Sequence, residues 1–542
     1  MARDSAVHPA RLSLSSRLHG GPWGVVKAAV ADEGSSSEAV GSEAVRRRVL
    51  EIGGRGEEIL AVASHDPGGE VLSLREGPES VAAGREAAAE IGLSNVRFEA
   101  FSLDDAPGDV GQFDLVIAED ALARAADLGK GGGGRGVAAV EELFRLFRAS
   151  LSETGILVIG YPVIPGASQR GLVRSLLGAQ AGGAEGRGGA SSEAERVAKA
   201  KAAAEAFRAM LGPSDHPYPQ LLALELTRFL EASEEAASAY LDAPDAVFAH
   251  ADVVRWAESH GLRFVCDARW NGPEGWVAPE IGDDLASRGL RGADLDQALD
   301  VLRCRAERLS IFCRADVSPG VPPGAEVLDE LWITGRLAPA GEAANLAPGV
   351  EQAFSGAAGQ RIASADPLLK AALIELHDSH PRPLRFAELV SASVARLHEA
   401  GAAGDPSDDQ LAGVARDVWE LFRRGLVELW PECGAVESLR SAPGGTSLNP
   451  LTRRRVERGE PPISPLGDAV PLDRFGAAMV RRMVGVEGED ALVTAMLEEA
   501  AKGGVTIEVG GARLTDPTLV EPMIRALVRR SLATLARFGA LG

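Results

Sequence analysis

From Arg48 onward the chain alternates short apolar runs with longer segments in which apolar residues return every three or four positions. A short run that is apolar at successive positions suits a strand buried on both faces, and the longer spacing puts apolar side chains on one face of a helix. The pattern predicts strands over residues 48–52, 70–74, 96–101, 113–120 and 156–160. Helices are predicted up to His65 and over 80–91 and 137–150. Strands and helices alternating at this pitch form a parallel sheet covered on both faces, the α/β class. The first strand enters a turn with Glu51, Gly53, Gly54 and Gly56, and then a helix. Glycine there lets bare backbone approach a ligand, and the turn presents amides at a helix start.

Downstream, helices are expected over 169–177 and 192–211, and the chain reads as mainly helical from Pro213 to about Glu330. A Pro- and Gly-rich passage, 318–324, and a looser stretch, 337–359, precede three short helices over 367–374, 386–397 and 408–422. With the apolar strand at 425–430 they make a winged-helix arrangement. The chain then reaches an amphipathic helix over 519–541 carrying Arg525, Arg529, Arg530 and Arg537. Residues 1–43 are weakly patterned.

At 542 residues the chain exceeds what one core can span, and at about 150 residues per domain it should form three or four. Acidic residues exceed basic ones by 78 − 56 = 22, which argues against extended contact with nucleic acid or anionic membrane. A basic protein or cationic peptide is the easier partner. The Arg-rich stretch 449–459, with Arg453, Arg454, Arg455 and Arg458, is a local exception that could serve a partner or be a solvated face. Cys266, Cys304, Cys313 and Cys433 lack paired short spacing, so free thiols in a reducing compartment are expected, with Cys304 and Cys313 as ordinary buried thiols. His250 and His260 flank Trp256 without metal-ligand spacing and read as surface or core-edge residues. No metal site is expected. No apolar run is long enough for a membrane span and no leader pattern opens the chain, so the expected location is cytoplasmic. The glycine-rich segment 129–136 lacks the Lys-Ser/Thr ending of a phosphate loop and reads, like 178–191, as flexible.

The segments LSNVRFEAFSLDD and GQFDLVIAED resemble a class I S-adenosylmethionine-dependent methyltransferase. LFRASLSETGILVIGYPVIPGASQRGLVRSLL resembles one subfamily, the bacterial protein lysine methyltransferase-like enzymes with a methyltransferase regulatory domain. That domain is recognisable in AYLDAPDAVFAHADVVRWAESHGLRFVCDA and LRCRAERLSIFCRADV, and the likeness continues in ADPLLKAALIELHDSHPRPLRFAELV and PLDRFGAAMVRRMVGVEGEDALVTAML. The resemblance covers residues 45 to 542 and implies a Rossmann-like methyltransferase domain over 45–168, after a weakly ordered lead-in, 1–44. It implies a helical regulatory domain over 169–335, a linker over 336–359, a winged-helix-type domain over 360–435, and a C-terminal domain over 446–542.

The resemblance implies an S-adenosylmethionine site formed by Glu51, Gly53, Gly54, Gly56, Glu76, Ser102, Leu103, Asp104 and Glu119. Several positions depart from the family pattern. The ribose-facing carboxylate at the end of the second strand is Arg75, which cannot accept a hydrogen bond, with Glu76 one place later. Arg55 and Glu57 replace turn glycines, Ser102 stands where the adenine-facing acid is usual, with Asp104 and Asp105 close by, and Ala167 replaces a tryptophan. Tyr161 matches a subfamily tyrosine; it could orient the acceptor or close the sheet end as a packed aromatic. The implied function is methyl transfer to a protein or peptide amine of the lysine type. A catalytically silent binding or scaffold protein that has lost the cofactor, and a methyltransferase for a small natural-product acceptor, are the alternatives. The segment 178–191 could let the following helices close over the cofactor site.

Overall fold

The computed structural model describes residues 47–54, 58–102, 110–128, 135–180, 192–213, 215–268, 279–318, 320, 324–341, 344–356, 361–401, 404–430, 445–464, 470–506, 508–509, 512–513 and 517–542. Arg55, Gly56, Glu57, Leu103, Asp104, Asp105, Cys433, the lead-in 1–44 and most of the two glycine-rich segments lie outside these residues.

The strands are β1 (Arg48–Ile52), β2 (Glu70–Glu76), β3 (Val96–Phe101), β4 (Phe113–Glu119), β5 (Leu151–Pro162), β6 (Leu262–Asp267) and β7 (Glu307–Arg314). They form one sheet in the order β3-β2-β1-β4-β5-β7-β6. The first five are parallel, and β7 runs antiparallel to both β5 and β6. Strands β1 and β2 are joined through α1 (Glu58–His65), β2 and β3 through α2 (Pro78–Glu90), and β4 and β5 through α3 (Ala121–Asp127) and α4 (Arg135–Ser150). Residues alternate along the strands between two buried clusters. Leu50, Ile52, Leu72 and Leu74 meet Leu122 and Phe144 on one face; Val49, Val71 and Phe98 meet Leu60 and Val81 on the other.

Helices α5 (Gly166–Gln180), α6 (Glu193–Leu211), α7 (Pro217–Glu231) and α8 (Glu234–Leu241) share a core that includes Leu177, Ala200 and Phe229. The Ser192 hydroxyl accepts from the Glu195 amide at 3.2 Å and caps α6. Helices α9 (His250–Ser259), α10 (Pro279–Ser287) and α11 (Gly292–Arg303) bracket β6 and lead into β7. The stretch 213–330 is therefore not mainly helical throughout, since it contributes two strands to the central sheet. Buried on nearly every position, β7 carries no alternation that distinguishes a strand from a short buried helix.

Beyond the sheet, β8 (Trp332–Gly335) is followed by the short strands β9 (Ala338–Pro339), β10 (Gln352–Ser355) and β11 (Arg361–Ser364). Then come α12 (Pro367–Ser379), β12 (Leu384–Arg385), α13 (Phe386–Glu399), α14 (Asp408–Arg423) and β13 (Val427–Trp430). Strands β12, β8 and β13 pair in that order over a core built on Leu373, Leu389 and Val418. A last core, with Met479, Leu492 and Val528 at its centre, is made by α15 (Pro450–Glu457), α16 (Arg474–Met483), α17 (Glu489–Ala501) and α18 (Pro517–Arg537), and the chain between the last two forms the hairpin β14 (Glu508–Val509) and β15 (Ala512–Arg513). In the Arg-rich stretch, expected as a local basic patch or a solvated face, the arginines pair within the chain: Arg454 with Glu90, Arg455 and Arg458 with Glu460 at 3.2 and 3.3 Å, and Arg453 with Glu487 at 3.8 Å. Among the described residues no helix is long and apolar enough to cross a membrane.

Candidate active site

Strand β1 lies between β2 and β4, so the chain leaves the sheet in opposite directions on its two sides and a crevice opens at the carboxyl ends. The turn after β1 is built for close approach. Gly53 has φ +76°, its amide donates to the Leu74 carbonyl at 2.9 Å, and a Cβ there would stand 3.2 Å from that of Ala121. A Cβ on Gly54 would lie 2.2 Å from the Glu51 carboxyl group, which is folded beneath the turn.

Glu51, Ser73 and Arg75 share one face of β1 and β2. The Ser73 hydroxyl donates to the Glu51 carboxylate, and the Arg75 Nε donates to Ser73 Oγ at 3.1 Å. The guanidinium is 3.8 Å from Glu51 Oε2 and lies over the Phe98 ring, 4.6 Å from its centroid. Both charged groups are buried. Arg75 therefore turns onto the α1–α2 face and pairs with Glu51. Strand alternation puts Glu76 on the opposite face, where Arg124 of α3 comes within 3.6 Å of its carboxylate. Glu76 lies at the strand end with its side chain 37% exposed. Ser102 is exposed just beyond β3, and Glu119 closes β4 opposite Gly160, where an added Cβ would be 3.3 Å from the Glu119 side chain. These residues fit an adenosyl group at the glycine turn and at Glu76, whereas Arg75 offers no acceptor. Gly56, Leu103 and Asp104 lie outside the described residues.

Tyr161 lies at the carboxyl rim of β5, opposite Arg308 of β7. Its hydroxyl is hydrogen-bonded to His250 Nδ1 at 2.7 Å and to Ser310 Oγ at 2.9 Å, and its ring stacks on the His250 ring at 7°. Burial pushes the phenol pKa well up and pulls that of the imidazole down, so both are neutral. The Tyr161 hydroxyl is thus held inside the fold. His250, expected at the surface or core edge, is fully buried because Tyr161 and Phe264 enclose its ring. His260 packs its ring on Phe144.

The same rim carries a charge network that the sequence reading missed. Arg308 donates to both Asp300 oxygens, at 2.6 and 3.0 Å, and lies 3.5 Å from Asp267 and 4.0 Å from Asp296. Arg305 is 3.0 Å from Asp267. Burial pushes the Asp296 carboxyl pKa up, but His250, Arg308 and Arg305 outweigh it and hold the group below its usual range. A signal was present: Asp296 and Asp300 are four apart on α11, just ahead of Arg305 and Arg308. Cys304 is exposed at the end of α11, with φ +50°, and is not the buried thiol expected; Cys266 and Cys313 are buried. Among the described residues no cluster of three His, Cys, Asp or Glu could hold a metal ion.

The strand order, the lone antiparallel β7 and the glycine turn after β1 define a class I methyltransferase fold followed by winged-helix-type modules. Residues 447–539 match the family described as PKMT, C-terminal winged helix domain, which falls on the segment expected only as a C-terminal domain. PKMT2 from Rickettsia typhi, solved in complex with AdoHcy, superposes with a TM-score of 0.75 at 15% identity, covering 99% of this chain and 98% of that one. A second structure of that protein gives 0.71 at 15% identity, covering 98% of each. An uncharacterized protein of Rickettsia prowazekii (strain Madrid E) is 17% identical over 447 residues, 81% of this chain and 76% of that protein.

Proposed function

We propose that this chain is an S-adenosylmethionine-dependent methyltransferase acting on a protein or peptide amine, with a basic segment as the favoured acceptor. The observation that carries the reading is the end-to-end likeness to a protein solved with AdoHcy, joined to a crevice at the switch point between β1 and β4. The acidic excess of 22 supports a basic acceptor, and the expected cytoplasmic location and the domain division at 45–168, 169–335, 360–435 and 446–542 go with it.

The cofactor supplies a methyl group on a sulfonium, which is already electrophilic. The protein's task is then to align donor and acceptor and to exclude water. Gly53 and Gly54 bring backbone to the ligand, Glu76 accepts from the ribose hydroxyls while Arg124 holds it, and Ser102 and Glu119 complete the rim. Gly56, Leu103 and Asp104 belong to the same site by resemblance. Glu51 acts one step back, anchoring the turn and withdrawing Arg75. Tyr161 shapes the acceptor side by holding the β5 rim against α9.

Titration calorimetry with AdoHcy tests the reading. Saturable binding to the folded chain, weakened in Glu76→Ala, is expected. Folded protein that binds neither AdoHcy nor S-adenosylmethionine at millimolar concentration would instead leave the scaffold reading, which the buried Glu51–Arg75 pair favours.

A further inference from the structure

Asp120 stands at the carboxyl end of β4 with φ +56° and ψ −11°, in the left-handed region that residues other than glycine rarely adopt. Aspartate is tolerated there because its short side chain can hydrogen-bond to nearby backbone, and ahead of a helix it usually caps the free amides. Neither use is made of it. The carboxylate caps no amide of α3, and among the described residues it makes no hydrogen bond and no ion pair, although the residue is only partly exposed. A left-handed backbone with no local bond to the side chain directs attention to what the side chain does outside the fold.

The surroundings of Asp120 define that use. The residues on either side of it both touch the glycine turn: a Cβ on Gly53 would stand 3.2 Å from the Ala121 Cβ and 4.0 Å from the Glu119 carbonyl oxygen. One helical turn on, the Arg124 amide donates to the Asp120 carbonyl at 3.0 Å, and the Arg124 guanidinium lies 3.6 Å from Glu76. On the other side Glu119 pairs with Gly160, which puts Asp120 at the level of Tyr161 on the β5 rim. Asp120 therefore lies between the turn and carboxylate assigned to the methyl donor and the rim assigned to the acceptor.

We propose that the Asp120 carboxylate binds and orients the acceptor amine, an assignment that rests on the methyltransferase reading above and adds to it the residue that meets the acceptor. An arriving ammonium donates to the carboxylate in a charge-assisted hydrogen bond of about 2.8 Å. Once one proton has left for water, an N–H that still donates to Asp120 fixes the nitrogen with its lone pair turned away from the carboxylate and across the crevice. That lone pair forms the new N–C bond, the electron pair of the broken C–S bond stays on sulfur, and the positive charge passes to nitrogen. The fixed anion beside the nitrogen favours that charge as it develops.

The test uses the full chain saturated with AdoHcy at neutral pH. Nα-acetyl-lysine methylamide is the probe, Nα-acetyl-norleucine methylamide is the control without the amine, and binding is read by saturation-transfer NMR on each. The lysine probe should bind roughly tenfold more tightly than the norleucine one, the scale of a hydrogen bond to a charged group. Asp120→Asn, which suits the same left-handed backbone without the charge, and Asp120→Gly, which keeps the backbone alone, should both remove that preference while AdoHcy affinity by calorimetry stays unchanged. Equal binding of the two probes by the unaltered chain, or a preference that survives in Asp120→Asn, overturns the assignment. A loss of AdoHcy affinity in Asp120→Asn overturns it too, since the carboxylate would then serve the cofactor. Folded, unaltered chain that binds no AdoHcy removes the methyltransferase reading itself, and this assignment falls with it.

Discussion

His380 is held neutral by its surroundings. Arg336 donates to its Nε2 at 2.7 Å, Thr334 Oγ1 lies 3.1 Å from Nδ1, and the Phe538 ring meets it edge-on. Burial first, then the charges of Arg336, Arg537 and His377, bring its pKa down to about 3. The unfolded chain takes up this proton near pH 6.5. Stability from the neutral ring is therefore complete above about pH 6.5 and is lost progressively as pH falls toward about 3. His250 is shifted in the same direction. In His380→Gln the fall of Tm with acid should be shallower but still present, and thermal scans from pH 7 to pH 4 would show it; an unchanged slope would reject the assignment. Glu51 and Arg75 make a second prediction. Arg75→Ala removes the guanidinium beside the buried Glu51 carboxylate and should cost roughly 3–5 kcal/mol in urea unfolding, while Arg75→Met combined with Glu51→Gln should cost clearly less. Equal losses would mean that packing, not charge, is what Arg75 contributes.

At the scale of elements, α2 and β3 are fitted to one another through Gly84. A Cβ there would fall 2.6 Å from the Phe98 ring, which also carries the Arg75 guanidinium over its face. Gly84→Ala should therefore destabilise by about 1–3 kcal/mol, although alanine is the better helix former, because overpacking outweighs propensity. A stability gain in denaturant titration would contradict this. The same region shows what was legible beforehand. The boundaries of β1 and β3 are as expected, because their apolar runs coincide with the paired backbone. Strand β2 was expected to stop at Leu74, yet its pairing continues to Glu76 opposite Phe101. The last two residues are charged, and what keeps Arg75 in the sheet is an ion pair with a residue 24 positions earlier, a cause that periodicity cannot register. Strand β6 was hidden for a related reason, since LRFVCD has only six residues and is flanked by helices. The glycine turn was legible as a ligand-type turn from composition alone; the inward turn of Arg75 and the burial of His250 depend on contacts between segments far apart in the chain.

Over the whole molecule, contacts among the described residues tie the last module both to the methyltransferase-fold sheet and to the module before it. Arg454 of α15 meets Glu90 of α2, and Arg537 donates to the Asp378 carbonyl at 3.1 Å. An exposed pair of the first kind contributes at most about 1 kcal/mol. Arg454→Glu should thus leave the overall melting temperature nearly unchanged while lowering amide-exchange protection along α15, and Glu90→Arg should restore protection in the double variant. Protection unaffected by either change would show that this contact does not hold the module in place.

The position of β7 has a consequence for how the chain is made. It pairs with β5 along its length, Ile156 with Cys313 and Tyr161 with Arg308, so the sheet cannot be completed until the ribosome has released residues well past Arg314. Until then α5 to α11, with β6 among them, emerge as an insertion between two strands still waiting for each other, and β5, twelve residues long, offers an open edge to any other strand nearby. Nascent chains stopped before residue 307 should be the ones that chaperones retain, and those stopped some forty residues beyond 314 should be released.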